Sequence, residues 1–99
     1  MRLRAIVKEA TEYYQAYYGT LIPDSLTPIA TDKIPCPDYI DLVETIDKIA
    51  EGGKAYYILY YDKNGKFLTD SFCRTLEDAK KEARLEFNLS DDDWEVIEA

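Results

Sequence analysis

The sequence predicts an α+β domain in which a small antiparallel sheet, centred on a β-hairpin over residues 54–73, carries helices packed mainly on one face. The stretch KAYYILYYDKNGKFLTDSF predicts the hairpin, because two runs rich in aromatic and β-branched residues flank an Asn-Gly pair. Helix start and stop signals occur on both sides of it. A chain of 99 residues, 46% of them hydrophobic, suits one domain over residues 1–99 with a single core.

The N-terminal segment is compatible with two structures. Residues 5–18 place a set of side chains on one side at helical spacing: Ile6, Ala10, Tyr13, Tyr14 and Tyr17. This spacing predicts a helix that ends near Gly19. Residues 2–8 partly alternate, however, and tyrosines favour extended structure, so a strand that begins at the N-terminus is the alternative. We prefer the helix.

A loop is predicted over residues 20–37, which contain all four prolines: Pro23, Pro28, Pro35 and Pro37. Proline lacks an amide donor and biases the residue before it towards extended backbone. We therefore expect irregular structure there, either packed down by its own apolar residues or used for binding.

A second helix is predicted over residues 38–51. Asp38 can cap its N-terminus, and Gly52 with Gly53 can provide a left-handed exit. Its apolar residues fall within one stripe: Tyr39, Leu42, Val43, Ile46, Ile49 and Ala50. We expect that stripe to face the core.

The sequence of the predicted hairpin is compatible with two registers of its strands. The segment from Asp62 suits either a two-residue turn at Asn64 and Gly65 or a type I turn in which Gly65 takes the left-handed bulge position. The two options differ by one residue of register, which would turn the second strand over. In both, the first strand carries apolar and aromatic residues on its two faces, so one face covers the core and the other is left over.

A third helix begins at Thr75, which forms a capping-box pattern with Asp78, and ends at Phe87, before Asn88 in the left-handed position. Carboxylates at the start of a helical turn accept its free amides. We therefore interpret the run from Asp91 to Asp93 as a cap and not as a cation site. A short edge strand is predicted to end the chain.

The sequence offers little catalytic chemistry. It contains no histidine, the commonest general base and metal ligand, and its adjacent glycines follow a predicted helix, so they form no phosphate loop. No catalytic, cofactor-binding or metal-binding residue is predicted. Cys36 and Cys73 are too few and too far apart for a disulfide framework, and we expect two buried, reduced thiols. Without the apolar core of a signal peptide, the protein is expected to be cytoplasmic.

Charge narrows the choice of partners. A net charge of −8 disfavours nucleic acid and anionic membranes, because phosphates are bound by Lys and Arg. The same charge would speed association with a basic protein, although excess negative charge also favours solubility.

The candidate interaction surface is the second face of the hairpin, with Tyr56, Tyr60 and Asp70 as its residues. If a helix covers that face, its side chains are purely structural. In either register Asp70 lies beside Ile58 or Leu59, where it points to solvent at a sheet edge or takes part in the surface.

The tail from Tyr57 to Trp94 resembles that of many small bacterial proteins of mostly unassigned role. The resemblance lies in the DSF element, the LEDA helix start, the EF ending and the downstream tryptophan. The strand, NG turn, strand and TLEDA helix are also similar, more weakly, to part of HicB-type antitoxins. Because these motifs mark the fold and not chemistry, no residue role is carried over. Small acidic bacterial proteins of this sort include immunity proteins and antitoxins.

These features together predict a small, acidic, non-enzymatic binding protein, an immunity- or antitoxin-like inhibitor of a basic protein. One alternative is a homodimeric structural module closed by the second face of the hairpin. Another is a small enzyme or ligand-binding protein that uses Asp70, Cys73 and tyrosines.

Overall fold

The computed structural model describes residues 1–18, 35–46 and 53–99. In chain order the elements are β1 (Arg2–Ile6), α1 (Glu12–Tyr18), β2 (Tyr39–Ile46), β3 (Lys54–Tyr61), β4 (Phe67–Cys73), α2 (Leu76–Phe87), a 3-10 turn (Asp91–Asp93) and β5 (Trp94–Glu98). The strands form one antiparallel sheet in the order β4-β3-β2-β1-β5. The predicted α+β fold, with an antiparallel sheet that contains the hairpin, is confirmed.

Both alternatives for the N-terminal segment occur, one after the other. Strand β1 pairs with β2 over Arg2–Ile6, and α1 begins only at Glu12. The predicted helix over residues 5–18 is therefore wrong in its first half. Leu3 and Ala5 are buried at the period of two that a strand requires, between neighbouring strands on both sides.

The predicted helix over residues 38–51 is wrong where the structure describes it, because Tyr39–Ile46 forms strand β2. This strand lies at the centre of the sheet, so both of its faces meet neighbouring side chains. Ile40, Asp41 and Leu42 are accordingly all buried. Burial on two faces removes the alternation that marks a half-buried strand, and the remaining apolar pattern also fits a helix.

The predicted hairpin is formed by β3 and β4, and its turn is the bulged one of the two options. The Gly65 amide donates to the Asp62 carbonyl at 3.0 Å, and Gly65 has a φ of +81° while Asn64 keeps a negative φ. This is a type I turn followed by a left-handed glycine. A further bulge interrupts the pairing between Tyr60 and Tyr61.

The hydrophobic core covers one face of the sheet, called here the helix face. Alternate residues of β1, β2 and β3 contribute to it: Leu3, Ala5, Ile40, Leu42, Ile58 and Tyr60. Tyr14 of α1 and Phe87 of α2 contact Tyr60, with ring centroids 6.2 and 5.8 Å apart. Ala79 and Ala83 of α2 are fully buried as well, so this helix packs through small side chains. The ring contacts of both helices with the sheet are thus on the helix face.

The ends of α2 are those that the sequence predicts. The Thr75 hydroxyl accepts a hydrogen bond from the Asp78 amide at 3.0 Å, and Asn88 has a left-handed φ of 59° while its amide bonds back to the helix at 2.9 Å. The last turn of α2 also anchors α1. Thr11, just before α1, donates its amide and its hydroxyl to the Glu86 carbonyl at 2.8 and 3.0 Å.

The C-terminal turn and edge strand are confirmed too. The Asp93 carboxylate accepts from the Ser90 amide at 2.7 Å, and the Asp93 amide donates to the Ser90 carbonyl at 3.1 Å. These hydrogen bonds to Ser90 lower the pKa of Asp93. The aspartate run therefore caps a turn, after which β5 pairs with β1.

Two predicted segments lie wholly or mostly outside the described residues. These are the proline-rich loop, of which only residues 35–37 are described, and residues 47–51 of the second predicted helix. Neither α1 nor α2 has the length and apolar character that crossing a membrane requires.

Candidate functional site

The second face of the sheet carries a group of aromatic side chains and is called here the aromatic face. Its rings come from β2, β3 and β4: Tyr39, Tyr57, Tyr61, Phe67 and Phe72. Tyr39 and Tyr61 stack at 5.1 Å between centroids, and Tyr61 meets Phe67 edge-on at 6.1 Å. Tyr57 meets Phe72 edge-on at 5.4 Å. Phe67 and Phe72 remain 51% and 50% exposed, so the outermost rings are accessible at one side of the sheet.

A buried ion cluster occupies the centre of this face. The Asp41 carboxylate is 0% exposed and accepts hydrogen bonds from Arg2 Nε at 2.7 Å and from Arg4 Nε and Nη2 at 2.7 and 3.0 Å. Arg2 also donates to the Tyr61 hydroxyl at 3.0 Å. The Arg4 guanidinium lies 4.6 Å from the centroid of the Tyr39 ring. The cluster thereby links β1, β2 and β3 through their side chains.

The electrostatics of the cluster favour full ionisation. Burial by itself would raise the pKa of Asp41, but the hydrogen bonds from Arg4 and Arg2 outweigh it and lower the pKa below the usual aspartate value. The same hydrogen bonds raise the pKa of both arginines. Because guanidinium donors occupy the carboxylate oxygens of Asp41, this group is suited to hold strands together and not to remove protons from a substrate.

A groove of about 690 Å³ runs beside β4 and is called here the edge groove. It is lined by residues 69–74, by Tyr13 of α1 and by one side of α2: Asp78, Lys81, Glu82, Leu85 and Glu86. Successive strand side chains point to opposite faces of a sheet, so a cavity lined by consecutive residues lies along the edge of the strand. Its volume falls within the ~300–1,000 Å³ typical of ligand sites.

One carboxyl group in this lining, Glu86, is only 1% exposed. The Tyr60 hydroxyl donates to Glu86 and lies 2.9 Å from the Ser71 hydroxyl of β4. Burial raises the pKa of Glu86 to about 8, while the hydrogen bond from Tyr60 lowers it and the charge of Glu82 raises it further. Glu86 is therefore mostly protonated at neutral pH and joins α2 to the hairpin as a neutral hydrogen-bonding group.

The three residues of the predicted interaction surface do not share one surface. Tyr60 is fully buried on the helix face, and Tyr56 lies half-buried on the same face. Asp70 pairs with Leu59, as one of the two registers predicted, and is exposed on the aromatic face. In the described part of the chain, no basic group forms an ion pair with the Asp70 carboxylate. Only Asp70 of the three thus remains at a surface that a partner could contact fully.

The cysteines differ from the prediction in one respect. Cys73 is buried as expected, and burial together with nearby carboxylates raises its pKa to about 11, so the thiol is protonated at neutral pH. Cys36 is exposed instead of buried, because it lies in the segment before β2 and not in a core element. Partial burial and the charge of Asp38 raise its pKa as well. Among the residues described, no three groups of metal-ligating type lie together as a metal site would require.

Sequence reasoning missed the cluster of Arg2, Arg4 and Asp41. A signal was present, because two arginines at positions i and i+2 share one face of a strand and require a counter-charge if that face packs. The helical interpretation of residues 38–51 hid the partner, since Asp41 lies outside the apolar stripe of that helix and would be solvated in its first turn. Recognition of the cluster depends on β1 lying beside β2.

Comparisons with known proteins assign this chain neither a family nor a function. The chain matches no protein-family model, no curated protein and no solved structure. The function is therefore argued from the geometry and charge of the described residues.

Proposed function

We propose that this chain is a non-enzymatic binding protein that docks a basic protein partner on its aromatic face, as a small bacterial immunity protein or antitoxin would. The observation that carries the proposal is the pair of half-exposed rings, Phe67 and Phe72, beside an otherwise packed set of tyrosines. Aromatic side chains are enriched in protein interfaces, because they bury a large area at a small cost in conformational entropy.

The centre of the aromatic face is also suited to burial under a partner. Asp41 already has its counter-charges in Arg2 and Arg4, so covering it leaves no unpaired carboxylate. Tyr39 and Tyr61 pack against these arginines and hold them in place. A docked surface would therefore meet a pre-ordered face, which reduces the entropy lost on binding.

Charge supports a basic partner. Of the 12 basic and 20 acidic residues, two arginines and one aspartate belong to the cluster, so the rest of the chain carries a net charge of −9. On the aromatic face itself, Asp70 presents an exposed carboxylate two residues from Phe72. With its net charge of −8, the whole chain would attract a basic protein at long range and repel a second copy of itself. We further propose a cytoplasmic location, where free thiols such as those of Cys36 and Cys73 stay reduced.

The test is titration calorimetry with the basic proteins encoded by neighbouring genes, each purified, at low and high salt. We expect one of them to bind with an affinity that falls as salt rises. Phe67→Ala should weaken that binding by about tenfold or more, because truncation of a central aromatic contact commonly costs ~1–2 kcal/mol or more.

Val96→Ala is the matched control. Val96 is 64% exposed on β5, at the opposite edge of the sheet, and the substitution should leave the affinity unchanged. Binding that is insensitive to Phe67→Ala would show that another surface docks the partner. Sedimentation of the protein alone tests whether a second copy of the chain covers this face instead. A homodimer at micromolar concentration that dissociates in the Phe67→Ala variant would replace the proposal with self-association.

A further inference from the structure

The edge groove has the construction of a site for an added β-strand. Among the described strands, β4 lies at one end of the sheet and pairs only with β3. Alternate residues of an edge strand turn their N–H and C=O groups away from their neighbour, where an extended segment can bind them. The groove follows β4 along residues 69–74, with α2 as its second wall. An extended peptide laid between an edge strand and a helix is a recurrent mode of recognition.

A second copy of this chain is a poor occupant of the edge. Antiparallel pairing of two β4 strands about their middle would place the two Asp70 residues opposite each other. Like charges directly opposite in a ladder are destabilising, and an exposed charge is a usual protection of edges against self-pairing. The exposed Asp70 carboxylate forms no ion pair with any described residue, so a lysine or arginine on an incoming strand would give it one.

The other residues that line the edge groove indicate which side chains the incoming segment should carry. Phe72 lies on the same side of β4 as Asp70 and is half-exposed, which favours an apolar residue two positions from the basic one. On the other side, α2 presents Asp78 and Glu82, with Lys81 between them. With Arg74 these charges cancel, so the exposed Asp70 carboxylate gives the groove its net charge of −1, and the buried Glu86, which is mostly protonated, adds none. A fitting segment therefore carries a basic residue and, two positions away, an apolar residue on the side of Asp70, with polar or basic residues at the positions between them.

We propose that the edge groove binds an extended segment of the basic partner as an additional strand beside β4, with a Lys or Arg opposite Asp70. The inference rests on the proposed function in one respect, that the partner is basic. It extends that function from a docking face to a backbone-recognition site on the neighbouring edge. Phe72 belongs to both surfaces, so one partner could cover the aromatic face and insert a strand beside it.

The test uses a synthetic peptide, acetyl-Lys-Val-Thr-Lys-Thr-Val-Lys-amide, titrated into the ¹⁵N-labelled protein and followed by NMR. The peptide has the same sequence in both directions, so parallel and antiparallel pairing place the same side chains, and its central lysine can face Asp70 with valines on the same side. We expect the largest shifts at the amides of residues 69–74. A second peptide with glutamate in place of the central lysine should bind about two- to fivefold more weakly, the range of a cross-strand charge pair.

A reversal of charge at position 70 tests whether Asp70 itself faces the central residue of the peptide. Asp70→Lys should reverse the order of the two peptides, whereas Glu77→Lys should keep it. Glu77→Lys changes the net charge equally, but Glu77 is exposed on α2 outside the groove lining. Because both positions are exposed, both variants are expected to fold, and their ¹⁵N spectra verify it. No shifts along β4 at about 5 mM peptide, or a charge swap without effect on the order, would overturn the inference and leave Asp70 as edge protection only.

Each of the two proposals can be rejected while the other is kept. Loss of partner affinity in Phe67→Ala with no peptide binding would retain the aromatic face and reject the added strand. Peptide binding without any basic partner would retain the groove and reject the docking function. Asp78→Lys supplies a further variant for the groove wall, because Asp78 lines the groove while its neighbour Glu77 does not.

Discussion

Arg4 holds the carboxylate of Asp41 with two hydrogen bonds, of 2.7 and 3.0 Å, in the middle of the aromatic face. The pair connects the first strand to the central one across 37 residues of sequence. It also means that the buried carboxylate of this face has its counter-charges before any partner arrives. The exposed aromatic rings lie to one side of it, on β4, next to the edge where the sheet can be extended.

Asp41→Asn should destabilise the fold by about 2–3 kcal/mol at pH 7, because it removes a buried charge that pairs with two guanidinium groups. Since the folded-state pKa of Asp41 lies below the ordinary value of 3.8, its stabilisation is present above that pH and is lost as the pH falls through the lower folded-state pKa. The free energy of unfolding, measured with urea, should therefore differ between the variant and the wild type by less at about pH 2.5 than at about pH 7. Asp70→Asn, at an exposed carboxylate, is the control and should change stability little; an equal loss in both would contradict the prediction.

Glu86→Gln should make the protein more stable in alkaline solution. The pKa of Glu86 is raised from 4.5 to about 8, so the folded state holds a proton that the unfolded state has lost, and stability falls as the pH rises between these values. Between pH 6 and pH 9 the free energy of unfolding, measured with urea, should fall by on the order of 2–3 kcal/mol more in the wild type than in the glutamine variant. Glutamine keeps an oxygen that can accept from Tyr60. The neighbouring Glu82 and the Tyr60 phenol face this group in both proteins, and Glu77→Gln on the exposed side of α2 should behave like the wild type.

Asn88→Gly should stabilise the protein by a few tenths to about 1 kcal/mol, whereas Asn88→Ala should destabilise it by about 1 kcal/mol. Asn88 ends α2 with a φ of 59°, where glycine has no steric penalty and a Cβ does. Thermal and urea unfolding of the two variants, which touch the same position, check the sign. A stable alanine variant would show that the backbone at this position relaxes out of the left-handed region.

Cys36 should react with Ellman's reagent in the folded protein, and Cys73 should react only when the chain unfolds. Cys36 is exposed, while burial of Cys73 raises its pKa to about 11 and leaves almost no thiolate at pH 8. The Cys36→Ser variant should therefore label fully in denaturant but hardly at all without it. Rapid labelling of that variant under native conditions would reopen Cys73 as a candidate nucleophile.

Local features of the fold could be predicted from the sequence because their causes lie within a few residues. The Thr75 cap and the capping of the last turn by Asp93 each depend on a side chain and an amide three positions apart. The left-handed Asn88 depends on its own backbone, whose amide donates to the Arg84 carbonyl four positions back. The glycine turn after Asp62 was reduced to two options for the same reason. These features appear in the structure as the residues predict.

The location of the candidate site could be predicted only in part. The surplus of aromatic residues on the hairpin indicated a second face, but the predicted Tyr60 belongs to the core, where α1 and α2 pack against it. The period of two assigns residues to alternate faces without telling which face the helices cover. Asp70 was expected beside Ile58 or Leu59, because either register puts it near the middle of the second strand of the hairpin, and the tertiary structure selects Leu59.

The sequence by itself determined the hairpin, the capped third helix, the edge strand and the scarcity of catalytic groups, since each follows from residue types and short spacings. Only the tertiary structure decided that Tyr39–Ile46 is the central strand and that Asp41 is paired with Arg2 and Arg4. A strand buried on both faces owes its pattern to neighbours that come from distant parts of the chain. Those neighbours, and not local propensity, make residues 39–46 a strand and join the arginines of β1 to its aspartate.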